Sequence, residues 1–129
     1  MKHFLFSVLC AISFSCMANE AAVVSHMDLT QTILDFLSRT ELCLNSCRDA
    51  ESVKAALPQL RDLQQECNRI VETQRSLPEP TVQDYMAVQN HMETFNTIWG
   101  AIRSHIERLE NEQLMSEELR AILHVAPGK

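Results

Sequence analysis

Five cysteines and five histidines are the side chains of this 129-residue chain best suited to metal or redox chemistry. Cys10 and Cys16 fall in the apolar N-terminal run, which leaves Cys43, Cys47 and Cys67. An odd number of cysteines in an oxidising compartment leaves at least one thiol. Cys43 and Cys47 are four positions apart and share a helix face, with Cβ atoms about 5 to 6 Å apart where a disulfide wants about 3.8 Å. A bridge between them requires the helix end to unwind. In a helical hairpin turning near Asp49, Cys67 falls opposite Gln31, about 18 Å along the axis from Cys43, out of reach of both. The expected order is buried structural thiols first, then a strained Cys43–Cys47 bridge, then intermolecular pairing or a soft-metal site. A thiolate metal site needs a further ligand, and no His lies within a helical turn of these cysteines.

His91 and His105 stand two heptads apart, so they share a helix face but lie about 21 Å apart and cannot hold one ion. Neither follows a Glu at minus three, as the Glu-x-x-His pairs of di-iron bundles require, and no His-Glu-x-x-His occurs. The run from Cys43 to Arg48 (CLNSCR) departs from the Cys-x-x-Cys-His pattern of covalent haem attachment. Glu107, Glu110, Glu112, Glu117 and Glu118 read as solvated helix surface and cap charge. Neither a nucleophile elbow nor a Gly-rich phosphate loop is visible, so no enzyme is expected and no cofactor is called for by these residues.

Helices must position these groups. Between Asn19 and Lys129 the only breakers are Pro58, Pro78, Pro80, Gly100, Pro127 and Gly128, too few for strands joined by tight turns. Tyr85, Val88, Met92, Phe95, Trp99, Ile102, Ile106 and Leu109 step alternately by three and four, a heptad seam. It predicts one long helix over about 81–112, opened by Thr81 with Asp84 as cap and about 48 Å long. Gly100 inside it implies a close approach by another helix or by the Trp99 indole, or a bend. A second helix fits Ser52 to Leu77, with Val53, Ala56, Leu60, Leu63, Cys67, Ile70 and Leu77 on one face and Asp49 as cap, and with a kink or a later start at Pro58. A first helix covers Asp28 to Cys47, burying Leu29, Ile33, Phe36, Leu37, Leu44 and Cys47 with Thr40 in the seam. The register of Val23, Met27 and Thr30 extends it back to about Glu20, the start favoured over a cap at Asp28. A short fourth helix follows Ser116 to about His124 and presents Leu119, Ile122 and Leu123. The expected fold is all-α: an antiparallel helical bundle of three long helices plus a short C-terminal helix, preceded by a signal peptide.

The leader is read from Lys2 and His3, the apolar run Phe4 to Phe14, and Cys16-Met17-Ala18 before a cleavage point. This predicts residues 1–18 as a secretory signal peptide and 19–129 as a single helical-bundle domain, exported to the periplasm or secreted. A lipid anchor at Cys16 is the lesser alternative, lacking the aliphatic residue at minus three. The run is shorter than the roughly 20 residues a membrane span needs, and no transmembrane segment is expected. Cleavage removes Lys2 and no acid from 11 basic and 17 acidic side chains, leaving 10 against 17, a net charge of −7. With its arginines scattered, such a chain repels phosphate backbones, so nucleic acid is excluded as a partner.

The segment Asp49 to Leu57 (DAESVKAAL), with Leu60-Arg61 and Leu77-Pro78, resembles the second helix of the small soluble periplasmic b-type cytochromes of the four-helix-bundle class. The resemblance covers about thirty residues and is an analogy of fold. It implies haem b held between a Met early in the first helix and a His late in the last. The family's Met position falls on Leu34, which cannot bind iron; Met27, one heptad earlier, and His124 are the residues left for that role. The leading expectation is an exported, non-enzymatic helical protein that presents the long helix 81–112 to a protein partner or a second copy of itself. The alternatives are a b-type haem electron carrier and a thiol-based metal or redox role for Cys43, Cys47 and Cys67.

Overall fold

Side-chain oxygens at helix starts set the element boundaries. The computed structural model describes residues 25–124, so the expected leader, its cleavage point and Cys16 lie outside the described residues. Within them the chain is all-helical, 82% helix with no strand. The elements are α1 (His26–Asn45), α2 (Ala50–Ser76), α3 (Val82–Gln89), α4 (Met92–Asn111) and α5 (Glu117–Leu123). Ser25 is extended (φ −90°, ψ 169°); its hydroxyl accepts from the Asp28 amide at 3.0 Å, and the Asp28 carboxylate accepts from the Ser25 amide. This capping box starts α1 at His26, which corrects the expected extension back to Glu20. Asp49 caps α2 through the Ser52 amide at 2.8 Å, Thr81 and Asp84 form a box on α3, and the Ser116 hydroxyl accepts from Leu119 at the start of α5.

Pro58 neither delays nor divides α2. It lies on the solvent face, as does Lys54, whose carbonyl the proline cannot serve as a donor.

The single helix expected over 81–112 is two helices. At Asn90 and His91 (φ/ψ −65°/−17° and −104°/0°) the His91 amide bonds the Val88 carbonyl, a tight i→i−3 link. Two residues advancing at about 120° rather than 100° turn the apolar stripe by roughly 40°. Phe95, Ile102, Ile106 and Leu109 of the seam are therefore buried, while Tyr85 is exposed. Gly100 has nothing within 4 Å of where a Cβ would stand, so neither a helix nor the indole closes on it. At the end of α4, Gln113 takes a left-handed conformation (φ 61°), and the Leu114 amide returns to the Leu109 carbonyl at 2.8 Å. This is a Schellman cap with Gln where Gly is usual.

α1 lies at the centre, packing against α2, α3 and α4, and α5 packs on α2. His26 Nε2 meets the Pro78 carbonyl at 2.7 Å and Arg39 is paired with Glu66, so α1 and α2 run in opposite directions. His105 meets Glu41 at 2.8 Å and Arg108 reaches the Leu44 and Cys47 carbonyls, so α4 runs parallel to α1. Ile33, Phe36, Leu37, Leu44, Leu60, Phe95, Ile102, Leu109, Leu119 and Leu123 join in one buried cluster. Full burial of such a side chain contributes about 1.5 to 3 kcal/mol, whereas half-exposed ion pairs such as Arg61–Glu118 contribute about 1 kcal/mol or less; the apolar cluster, not the charge pairs, holds the helices.

Candidate functional site

The three thiols are buried, and burial sets their chemistry. Cys43 is pushed up to about 11 by desolvation and by its neighbour Cys47, and Cys67 to about 12 by desolvation alone. Cys47 is raised by burial despite the opposing pull of Ser46 and the Arg108 guanidinium. Thiols held protonated in this way are poor nucleophiles and poor metal ligands at neutral pH. The Cys47 thiol faces the Cys43 carbonyl at 3.5 Å and the Cys43 thiol the Ala56 carbonyl at 4.0 Å. The Cys43 thiol meets Ala56, and Leu29 and Thr32 share a groove with Glu66 and Ile70, so α1 and α2 keep the register of a hairpin turning near Asp49, with Cys67 opposite the Gln31 region. Among the described residues no group of three or more His, Cys, Asp or Glu is placed to share a metal ion.

The residues left for haem by the cytochrome resemblance are not brought together. Met27 is at the start of α1, next to His26, which touches Pro78 beyond the end of α2. His124 ends α5 in a left-handed conformation, its Nε2 at 2.8 Å from the Gln64 amide nitrogen. From Gln64 to Ser76, α2 runs roughly 18 Å at about 1.5 Å per residue. Two side chains separated by that span cannot stand on either side of one iron. His91 is the first residue before α4, and His105 is engaged with Glu41.

A groove of about 330 Å³ between α1 and α2 is lined by Leu29, Thr32, Glu66, Arg69, Ile70 and Thr73. Glu66 is already taken by Arg39, and Arg69 is exposed. A charge meeting Arg69 stays solvated, where such a pair is worth about 1 kcal/mol or less. The groove offers little hold on a small ligand.

The feature that packing does not account for is α3. None of its eight residues is buried. Asp84, Ala87 and Val88 are half-buried on the side toward α1, while Val82, Tyr85 and Met86 stand 74%, 49% and 62% exposed. Positions i, i+3 and i+4 lie together on a helix, so these three make one apolar face turned to solvent. Burying them would release about 25 cal/mol for each Å² of apolar surface removed from water, a gain this chain leaves unclaimed. The heptad reading placed Tyr85 in the core and passed over Val82 and Met86. Their spacing just after Pro78 and Pro80 was a signal for the face, masked by the assumption of a continuous helix. Comparison with known proteins adds no relative from which a role could be carried over: no family model, no curated protein and no solved structure matches this chain.

Proposed function

We propose that this chain is an exported, non-enzymatic helical-bundle protein that acts by presenting the apolar face of α3 to a protein partner. One observation carries the reading: a capped helix, built with the same care at its start as the core helices, keeps Val82, Tyr85 and Met86 in water. Single exposed apolar residues are ordinary, but an aligned set of three on one helix is the pattern by which amphipathic helices dock. The bundle of α1, α2 and α4 is the scaffold, and α5 covers one side of α2. The leader expected over residues 1–18 supports export, which fits the net negative charge of a protein kept apart from nucleic acid. Electron transfer through haem is disfavoured by the separation of Met27 from His124, and thiol redox chemistry by the burial of all three sulfurs.

The test is a photo-crosslinking amino acid placed at position 85 in the full chain, expressed in its own cells, with position 65 on the exposed side of α2 as control. A discrete adduct from position 85 that position 65 does not give is the expected result. Adducts of equal yield from both positions, or none from 85, would overturn the proposal.

A further inference from the structure

The charges around the α3 face say what kind of partner suits it. No Lys or Arg occurs between Arg75 and Arg103, nor between Ser25 and Arg39. These two stretches build one end of the molecule, because His26 touches Pro78 and α1 packs on α3. The acids at this end are Asp28, Asp35, Glu79, Asp84 and Glu93. Of the basic side chains that border it, Arg39 is held by Asp35 and Glu66, and Arg75 lies 3.8 Å from Glu72. Val82, Tyr85 and Met86 therefore sit in a field of carboxylates with little cationic compensation.

Building on the reading of α3 as a docking face, we infer that its partner is a cationic amphipathic peptide segment, with apolar side chains to cover Val82, Tyr85 and Met86 and Lys or Arg to meet Glu79 and Glu93. Length agrees: eight residues make a face about 12 Å long, enough for two turns of a facing helix and short of a broad globular interface. A second copy is the poorer occupant. A two-fold contact through α3 would bring two copies of the same acidic end together, and like charges brought together oppose association. Met86, unbranched and polarisable, adapts to side chains of varied shape, which fits a partner recognised by pattern more than by fixed geometry. Opposite charge would draw such a segment in before the apolar contacts form, making association sensitive to salt.

The experiment is fluorescence anisotropy of two labelled synthetic helical peptides, one of Leu and Lys and one of Leu and Glu, titrated with the full chain. Three forms of the protein are used: wild type, V82Q/Y85Q/M86Q, and E79Q/E93Q. Glutamine keeps helix propensity, and circular dichroism checks that both variants are folded. The expected result is binding of the Lys peptide alone, weakened by salt, about tenfold or more weaker in the triple variant and weaker with a shallower salt dependence in E79Q/E93Q. Equal binding of both peptides, lost in the triple variant, would overturn the charge assignment while leaving the α3 face as a docking site. Binding of the Lys peptide that the triple variant does not change would overturn the inference by showing attraction to overall charge. No binding of either peptide also overturns it, and the crosslink at position 85 then decides separately whether the face has another partner.

Discussion

The Arg108 guanidinium on α4 donates to the backbone carbonyl of Cys47 at 2.9 Å and to that of Leu44 at 3.2 Å. The last turn of α1 has no basic residue of its own, and to its local backbone partners Arg108 adds donors from a helix that begins 47 residues after Asn45, at Met92. The link serves as a helix cap and as a clamp between α1 and α4.

Replacing that donor should remove the guanidinium from the Cys47 carbonyl, while the Leu44 carbonyl keeps the Cys47 amide. Arg108→Ala is expected to lower stability by about 2 kcal/mol, in the range for hydrogen bonds to charged groups, and Arg108→Lys to recover part of it. Urea unfolding of the three proteins measures this; a loss under about 0.5 kcal/mol would show that water takes the place of the guanidinium.

Tyr85 and Phe95 belong to one heptad series in the sequence but to opposite environments in the fold, 49% and 2% exposed. Phe95→Ala should cost about 3 to 5 kcal/mol, and Tyr85→Ala about 0.5 kcal/mol or less. Similar losses from the two would mean that α3 and α4 form the continuous helix after all.

Gly100 occupies the middle of α4 with open space where a Cβ would go. Gly100→Ala is therefore expected to stabilise the protein by about 1 kcal/mol, the difference in helix propensity. A lower unfolding midpoint in urea would reveal a close neighbour at that position.

The buried thiols should be slow to react in the native protein. At neutral pH an aromatic disulfide reagent should modify Cys43, Cys47 and Cys67 only over hours, and all three at once in denaturant. A count of one thiol in the denatured, unreduced protein would reveal a disulfide, and labelling of Cys67 as the thiol left over would assign it to Cys43 and Cys47.

Asp49 is held below the usual carboxylate range, first by the Ser52 amide and then by the Ser52 hydroxyl that it engages. Its folded-state value lies below its unfolded one, so its contribution is present above about pH 4 and is lost as pH falls through the folded value. Asp49→Asn keeps the cap without the charge. The variant should match wild type less closely at pH 7 than in acid below the folded value, where wild type gives up its ionised cap; thermal melts along a descending pH series check this, and a constant difference would assign the effect to geometry alone.

Helix type and most helix starts could be read directly from residues whose side chains act within their own turn: Asp49, Thr81 with Asp84, and Ser116 all cap where local chemistry places them. The short C-terminal helix and the burial of Leu119, Ile122 and Leu123 were legible from a spacing of three and four. Ser25 with Asp28 is a capping signal of the same kind that the sequence reading misses: the cap it weighs is Asp28 itself, set aside for the apolar register of Val23 and Met27. The break at Asn90 and His91 escaped the pattern because it changes only the rotation per residue and contains neither Gly nor Pro. The exposed apolar face of α3 followed from that break, so it too was hidden. The Arg108 clamp joins residues far apart in sequence, and nothing in local periodicity carries such information.

The central position of α1 has a consequence for how the molecule comes apart. α2, α3 and α4 each lean on α1, and the contacts that α2 and α4 share directly are few. α3, which buries none of its residues, can then lift away while α1, α2 and α4 stay packed, so local opening should be cheap in α3 and cost nearly the whole unfolding free energy in α1. Amide hydrogens of α1 and the facing side of α2 should exchange last, and those of α3 first. The segment proposed as a docking face is thus also the one that native fluctuations release most readily.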